Sequence, residues 1–195
     1  NNSKSGGYQK RVITGLYDTY WELETLGGTV PFNERARIGS SFNISGGNLD
    51  IDIASVLVTG SFSLNGGPFP ATDEDVGRLI LRDTAAGADN ELALTKVGGY
   101  SRRVILGTYD IVYQHLQGDL VPKNQDAVLG EVAVKSAGTI DINVAAGYFA
   151  APVNHNGVLF PASPLQMGNI LLRNPASEDY LVLGKTSLQN LSAKV

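Results

Sequence analysis

The sequence predicts an all-β protein made of tandem antiparallel β-sandwich repeats of about 91 residues. Three observations carry this: apolar residues alternate with polar ones, turn residues punctuate the chain every eight to twelve positions, and whole stretches return at one fixed offset. The returning stretches come first, because they fix where units begin. Gly6 to Asp18 reads GGYQKRVITGLYD and Gly98 to Asp110 reads GGYSRRVILGTYD. Val30-Pro31 with Asn33 and Ala36 matches Val121-Pro122 with Asn124 and Ala127, one residue closer, a change that loops absorb. NLDIDIA (Asn48 to Ala54) parallels TIDINVA (Thr139 to Ala145). Asn65-Gly66 with Phe69-Pro70-Ala71 returns as Asn156-Gly157 with Phe160-Pro161-Ala162, and GRLILR from Gly77 returns as GNILLR from Gly168. The period is too long for a helical solenoid, so each unit is expected to be a domain in itself. Residues 1–54 read as the second half of a unit, 55–145 as a complete unit, and 146–195 as the first half of another.

Within a unit the strand period of two is plain. Val56, Val58, Phe62 and Leu64 share one face while Thr59, Ser61 and Ser63 share the other. Leu49, Ile51 and Ile53 alternate with Asp50 and Asp52, and Ile140, Ile142 and Val144 with Asp141 and Asn143, which predicts two strands with polar, solvated faces. Tyr17, Thr19 and Trp21 alternate with Asp18, and Tyr109, Ile111 and Tyr113 with Asp110. Asn65-Gly66 and Asn156-Gly157 read as hairpin turns, because tight hairpins need positive φ. No segment shows sustained helical periodicity. Seven or so short strands in about ninety residues is the pattern of an Ig-like antiparallel sandwich.

The spacing of Thr95, Gly99 and Gly107-Thr108-Tyr109, in which one strand ends at a Gly turn and the next opens with Tyr, resembles the carboxypeptidase regulatory-like (transthyretin-like) β-sandwich repeats of bacterial secreted and surface proteins. Lys96 departs from the pattern, standing where an Asp often follows the Thr. The resemblance covers about fifteen residues of each unit and implies a structural or adhesive module. It brings no catalytic residue with it.

Composition narrows the function classes. The chain has 195 residues and no Cys, which excludes a disulfide scaffold, a Cys-ligated metal and a thiol nucleophile. A net charge of −4 argues against a nucleic-acid surface. No apolar run has the length of a membrane span, and Asn-Asn-Ser-Lys-Ser-Gly-Gly is not a signal peptide, so a targeting signal is expected to have been removed or never present.

Candidate sites are few. Asp73-Glu74-Asp75 could offer oxygen ligands to calcium, or form a solvated turn; Pro164-Leu165-Gln166 holds the matching place in the next unit, so the repeat does not depend on it. His115 near Asp119, or His155, could enter a Ser-His-Asp arrangement, or pair on the surface; the position matching His115 in the first unit is near Leu23. Lys10-Arg11 and Arg102-Arg103 could stack with aromatic neighbours on bases or sugars, but neighbours on a strand face opposite ways, and a rim role for their stems is the alternative. Tyr20 and Trp21 could form a sugar-stacking platform, or belong to core and rim. Asn1, Asn43 and Asn190 begin Asn-x-Ser triplets, read as coincidence without a eukaryotic secretory context.

The two flanking half-units are complementary in phase and overlap by one strand. A half-unit would expose sheet edges and one face of a core. Head-to-tail completion between chains gives an open filament, a longer array of units gives an adhesive rod, and closure within one chain gives a ring. An odd number of antiparallel strands sends the chain in at one pole of the middle unit and out at the other, against the ring. The expectation is an extracellular, non-enzymatic surface filament or fibre subunit without cofactor, joined head to tail through both termini by strand complementation. The alternative is an adhesin module that binds cell-surface carbohydrate or protein.

Overall fold

A computed structural model describes residues 9–25, 27–175 and 180–195; Asn1 and the Gly6–Tyr8 head of the first repeated motif lie outside them. Strands take 54% of the described residues and helix 3%, so the all-β class holds. Strands β1 (Gly15–Glu22) and β2 (Arg35–Ile44) form a hairpin. Then come β3 (Ser55–Leu64), β4 (Val76–Asp83), β5 (Asp89–Leu94), β6 (Gly99–Ile105), β7 (Gly107–Gln117), β8 (Ala127–Val134), β9 (Gly138–Thr139) and β10 (Ile142–Val144). The last segment holds β11 (Tyr148–Pro152), β12 (Asn154–His155), β13 (Val158–Leu159), β14 (Asn169–Arg173), β15 (Tyr180–Lys185) and β16 (Asn190–Lys194).

In the middle segment two sheets share one core in a sandwich-like arrangement. One is antiparallel in the order β5-β4-β7-β8; the other runs β10-β3-β6, with β9 also on β3. Leu79, Leu81, Leu92, Tyr109 and Tyr113 from the first sheet meet Val58, Phe62, Leu64, Val104, Ile142 and Val144 from the second. Val58, Phe62, Leu64, Tyr109, Tyr113, Ile142 and Val144 are alternate positions the sequence pattern marks, and fully burying each large side chain contributes about 1.5–3 kcal/mol.

The second sheet is not antiparallel throughout: β9 and β10 run parallel to β3. Their polar faces are more than solvated surface. Thr59 meets Thr139 at 3.4 Å, the Ser61 hydroxyl donates to Asp141 at 2.7 Å, and the Ser63 hydroxyl donates to Asn143 at 2.9 Å. The Ser61 hydroxyl and amide hold the Asp141 carboxyl below its ordinary pKa. The counterpart segment Asn48 to Ala54, expected as a strand, has no ladder. A strand exists only where a neighbour takes its backbone bonds in a ladder, and here the bond of the Leu106 amide to the Ala54 carbonyl at 3.1 Å does not extend into one.

The last segment repeats the middle one in register. Leu57 faces Arg103 as Tyr148 faces Lys194, each 91 residues on. The bulge between Leu79 and Ile80 recurs between Ile170 and Leu171. Thr95 and Thr186 each open a 3-10 turn, and each buried hydroxyl accepts at 2.9 Å from the amide of Gly77 or Gly168. The two Asn-Gly turns also agree, with φ of 54° and 78° at Asn65-Gly66 and 53° and 82° at Asn156-Gly157, the positive pair that a two-residue hairpin turn requires.

Candidate functional site

The residues that stand out lie where segments meet and where a sheet edge is left open. At the first meeting place the loop after β1 docks on the middle segment. The Phe32 amide donates to the Arg103 carbonyl at 2.9 Å, and the Phe32 ring enters the core. Asn33, fully buried, works with both ends of its side chain: its oxygen accepts from the Ile105 amide at 2.9 Å, and its amide donates to the Tyr109 hydroxyl at 3.0 Å. The Asn33 carbonyl accepts from the Trp21 indole at 3.1 Å, and the Glu34 amide donates to Asn90 at 2.7 Å. Burial pushes the Tyr109 hydroxyl up to about 12. A buried polar group costs stability unless paired, so this junction is specific as well as apolar.

The second meeting place is the same contact 91 residues later. The Lys123 amide donates to the Lys194 carbonyl at 3.0 Å, and the Lys194 ammonium donates to the Leu120 carbonyl at 3.1 Å. Asn124 takes the place of Asn33, yet it is only half-buried, and its side chain has no hydrogen-bond partner among the described residues. It borders a groove of about 170 Å³ lined also by Asp126, Leu172, Arg173, Tyr180 and Val195. The first junction touches β7 at Tyr109 and the second at His115, six residues along the strand and about 20 Å apart at its rise.

Beside this groove lies the open edge of β14, with residues of both faces left uncovered. Met167, Leu171 and Leu172 are 45%, 47% and 38% exposed, whereas Val76, Ile80 and Leu81 at the matching positions are 5%, 1% and 0% exposed. The difference is β7, which pairs with β4 along its length; among the described residues no strand pairs with that edge of β14. Gly77 carries the same signal. A Cβ there would come within 2.5 Å of the Tyr113 ring, so glycine is what lets the ring lie flat on the strand; at Gly168 a Cβ would meet nothing within 4 Å. Neither glycine has a positive φ that would demand it. At the other end of the chain, among the described residues β1 and β2 pair only with each other and leave Leu16, Tyr17 and Tyr20 exposed.

The sequence-predicted sites are dispersed. Asp75 accepts from the amides of Asp119 and Leu120, both at 2.8 Å, while Asp73 pairs with Lys96, so the acidic run braces two loops. Among the described residues no three His, Asp or Glu side chains converge as metal ligands. His115 contacts the Gly118 carbonyl at 3.0 Å, and Asp119 pairs with Lys123, whose ammonium lowers the carboxyl's pKa. His155 packs against Phe160. Trp21 is half-buried at the first junction, whereas Tyr20 points the other way under the Arg35 guanidinium, 4.9 Å from the ring centre. Arg102 donates to the Leu92 carbonyl at 3.0 Å and Arg103 to the Ser55 carbonyl at 3.4 Å, both along the sheet rim; Lys10 and Arg11 are exposed outside any strand. Sequence reasoning missed Asn33, although its recurrence as Asn124 was the available signal.

No helix among the described residues is long and apolar enough to cross a membrane. No protein-family model matches the chain, and no curated protein does. Among solved structures it is similar to a leucine-rich repeat protein from Bacteroides thetaiotaomicron, with 11% identity over 67% of this chain and a TM-score of 0.31. The chain spans 18% of that protein's length, and a likeness of this size carries no argument about fold or function.

Proposed function

We propose that the protein is a structural, extracellular subunit that assembles head to tail, β1 and β2 of one chain covering the open edge of β14 in the next. The middle segment serves as the template. There β7 covers β4, and β1 carries the β7 sequence in its GLYD run, with Trp21 at the place of Tyr113. The observation that carries the reading is Gly168: a glycine kept in the repeat at a spot where nothing touches it has a purpose once a Trp21 ring lies on it. Charge does not oppose the contact. Residues 1–54 hold five Lys or Arg against six Asp or Glu, and residues 146–195 three against two, so the halves carry −1 and +1. One position does not follow the template. Gly60 lets the Ile140 carbonyl approach, whereas Ala151 stands at the matching place, so the counterpart of the parallel strands must sit farther off.

On this reading each completed unit is an Ig-like, transthyretin-like sandwich. The Tyr109 hydroxyl supports it by bonding the carbonyl of Ile105, four residues upstream, at 2.7 Å, as the tyrosine corner of Ig-like folds does. The contact joins two different surfaces, so it propagates as a filament unless rotation closes it. Light scattering after size exclusion, with negative-stain microscopy, tests it. The wild-type chain should gain mass with concentration and form fibres, while Gly168→Val should melt like wild type and stay a single chain. A wild-type mass fixed at one chain, or a Gly168→Val variant that assembles as well as wild type, overturns the proposal.

A further inference from the structure

Resting on that assembly, we infer that Asn124 is the latch between chains: its side-chain oxygen accepts from the Ile13 amide, and its side-chain amide donates to the Tyr17 hydroxyl, of a second copy. Asn33 sets the pattern by holding the Ile105 amide and the Tyr109 hydroxyl at the first junction. The second junction is already half made. Lys123 and Lys194 reproduce the contact of Phe32 and Arg103, and the groove beside Asn124 is continuous with it. In the repeat Ile13 is the counterpart of Ile105, so it is the residue of a second copy whose amide would meet Asn124 as the Ile105 amide meets Asn33.

The incoming element is built in advance. The Tyr17 hydroxyl donates to the Ile13 carbonyl at 2.6 Å, the loop that Tyr109 makes with Ile105, and Ile13 and Tyr17 are both exposed. An element already in its bound form loses little freedom on docking. The latch is one bond poorer than its template, because Leu181 replaces Asn90 and gives the Gln125 amide no acceptor. Its consequence is mechanical: the same asparagine at every junction fixes the angle between successive units, within a chain and between chains alike.

The critical concentration for assembly, with residue-resolved hydrogen exchange on the full chain, tests the latch. Asn124→Ala and Tyr17→Phe should each raise the critical concentration by about tenfold, the effect of one lost buried hydrogen bond to a specific partner. Asn124→Ala should leave single-chain melting unchanged, and Tyr17→Phe should lower it only slightly, through loss of the exposed bond to the Ile13 carbonyl. The Ile13 amide should become protected in assembled wild type and stay unprotected in Asn124→Ala. Wild type that assembles, with variants matching its critical concentration and its Ile13 protection, overturns the latch alone. Wild type that never assembles overturns the assembly and the latch with it.

Discussion

The middle segment has four strands, β7 to β10, without a counterpart in the last segment, and otherwise the two differ by little. Their registers, bulge, hairpin turn and threonine-opened 3-10 turn agree position for position. Burial does not agree. Leu81 is sealed where Leu172 is open, and Gly77 carries a ring where Gly168 carries nothing. Local sequence is therefore enough to set pairing, turns and a small core of Val153, Leu181, Leu183, Leu191 and Ala193, while the larger core of the middle segment includes β7 and β8. The same strands thus occur once with the cover present and once with it missing, and substitutions at paired positions measure what the cover contributes.

The largest effect should separate Leu81→Ala from Leu172→Ala. Removing the fully buried Leu81 side chain leaves a cavity between the sheets and should cost about 2–5 kcal/mol in denaturant unfolding. Leu172→Ala should cost less than about 1 kcal/mol in the single chain, because solvent already reaches the site. Equal costs would break the comparison by showing that Leu172 is covered. Next in size is Tyr109→Phe, which strands the Asn33 amide and the Ile105 carbonyl in a dry junction; about 1–3 kcal/mol should be lost, against about 0.5 kcal/mol or less for Tyr17→Phe in the single chain. Thr95→Val should then cost about 1 kcal/mol by orphaning the buried Gly77 amide, and Thr186→Val less, since water reaches the exposed Gly168. Hydrogen exchange resolved by segment reads both, because the two segments need not open together.

Much of this was legible in the sequence, and what was not has a common cause. Alternation placed Val58, Phe62 and Leu64 inward, and Asn-Gly marked both hairpin turns, because these features depend on neighbours along the chain. The parallel course of β9 and β10 was not legible: their polar faces alternate in the same way whichever direction the partner runs, and only the Ser61–Asp141 and Ser63–Asn143 pairs disclose it. Asn48 to Ala54 shows the reverse, a strand pattern without a strand, since pattern supplies the faces and a neighbour supplies the bonds. The candidate site was legible as a phase in the repeat, through the matched Gly77 and Gly168. The part proposed for Asn124 was not, because a lone Asn in a loop looks the same whether it is solvated or buried between two units.

The smallest effect concerns the outer face of the β5-β4-β7-β8 sheet, where the two segments part in charge. Arg82 holds Asp89 at 2.6 Å and Asp126 at 2.7 Å, and Gln114 adds a bond to Asp126 at 3.0 Å. In the last segment Arg173 keeps the arginine, but Tyr180 replaces Asp89, and the strand that would bring a counterpart of Asp126 is β2, where Arg35 stands. The Arg82 guanidinium lowers the Asp126 carboxyl from its ordinary 3.8. A lowered folded-state pKa means that the unfolded chain takes up the proton first, so the pair's stabilisation is full above 3.8 and fades as pH falls through the lower folded value. Both side chains are partly exposed, so solvent screening keeps the effect to a few tenths of a kcal/mol. Asp126→Asn should therefore flatten the loss of middle-segment stability below about pH 4 in an acid titration followed by hydrogen exchange or circular dichroism, while the last segment's profile stays as it was. A variant whose acid profile is unchanged in the middle segment would show that the ion pair, unlike the buried tyrosines and leucines, adds nothing to what separates the two.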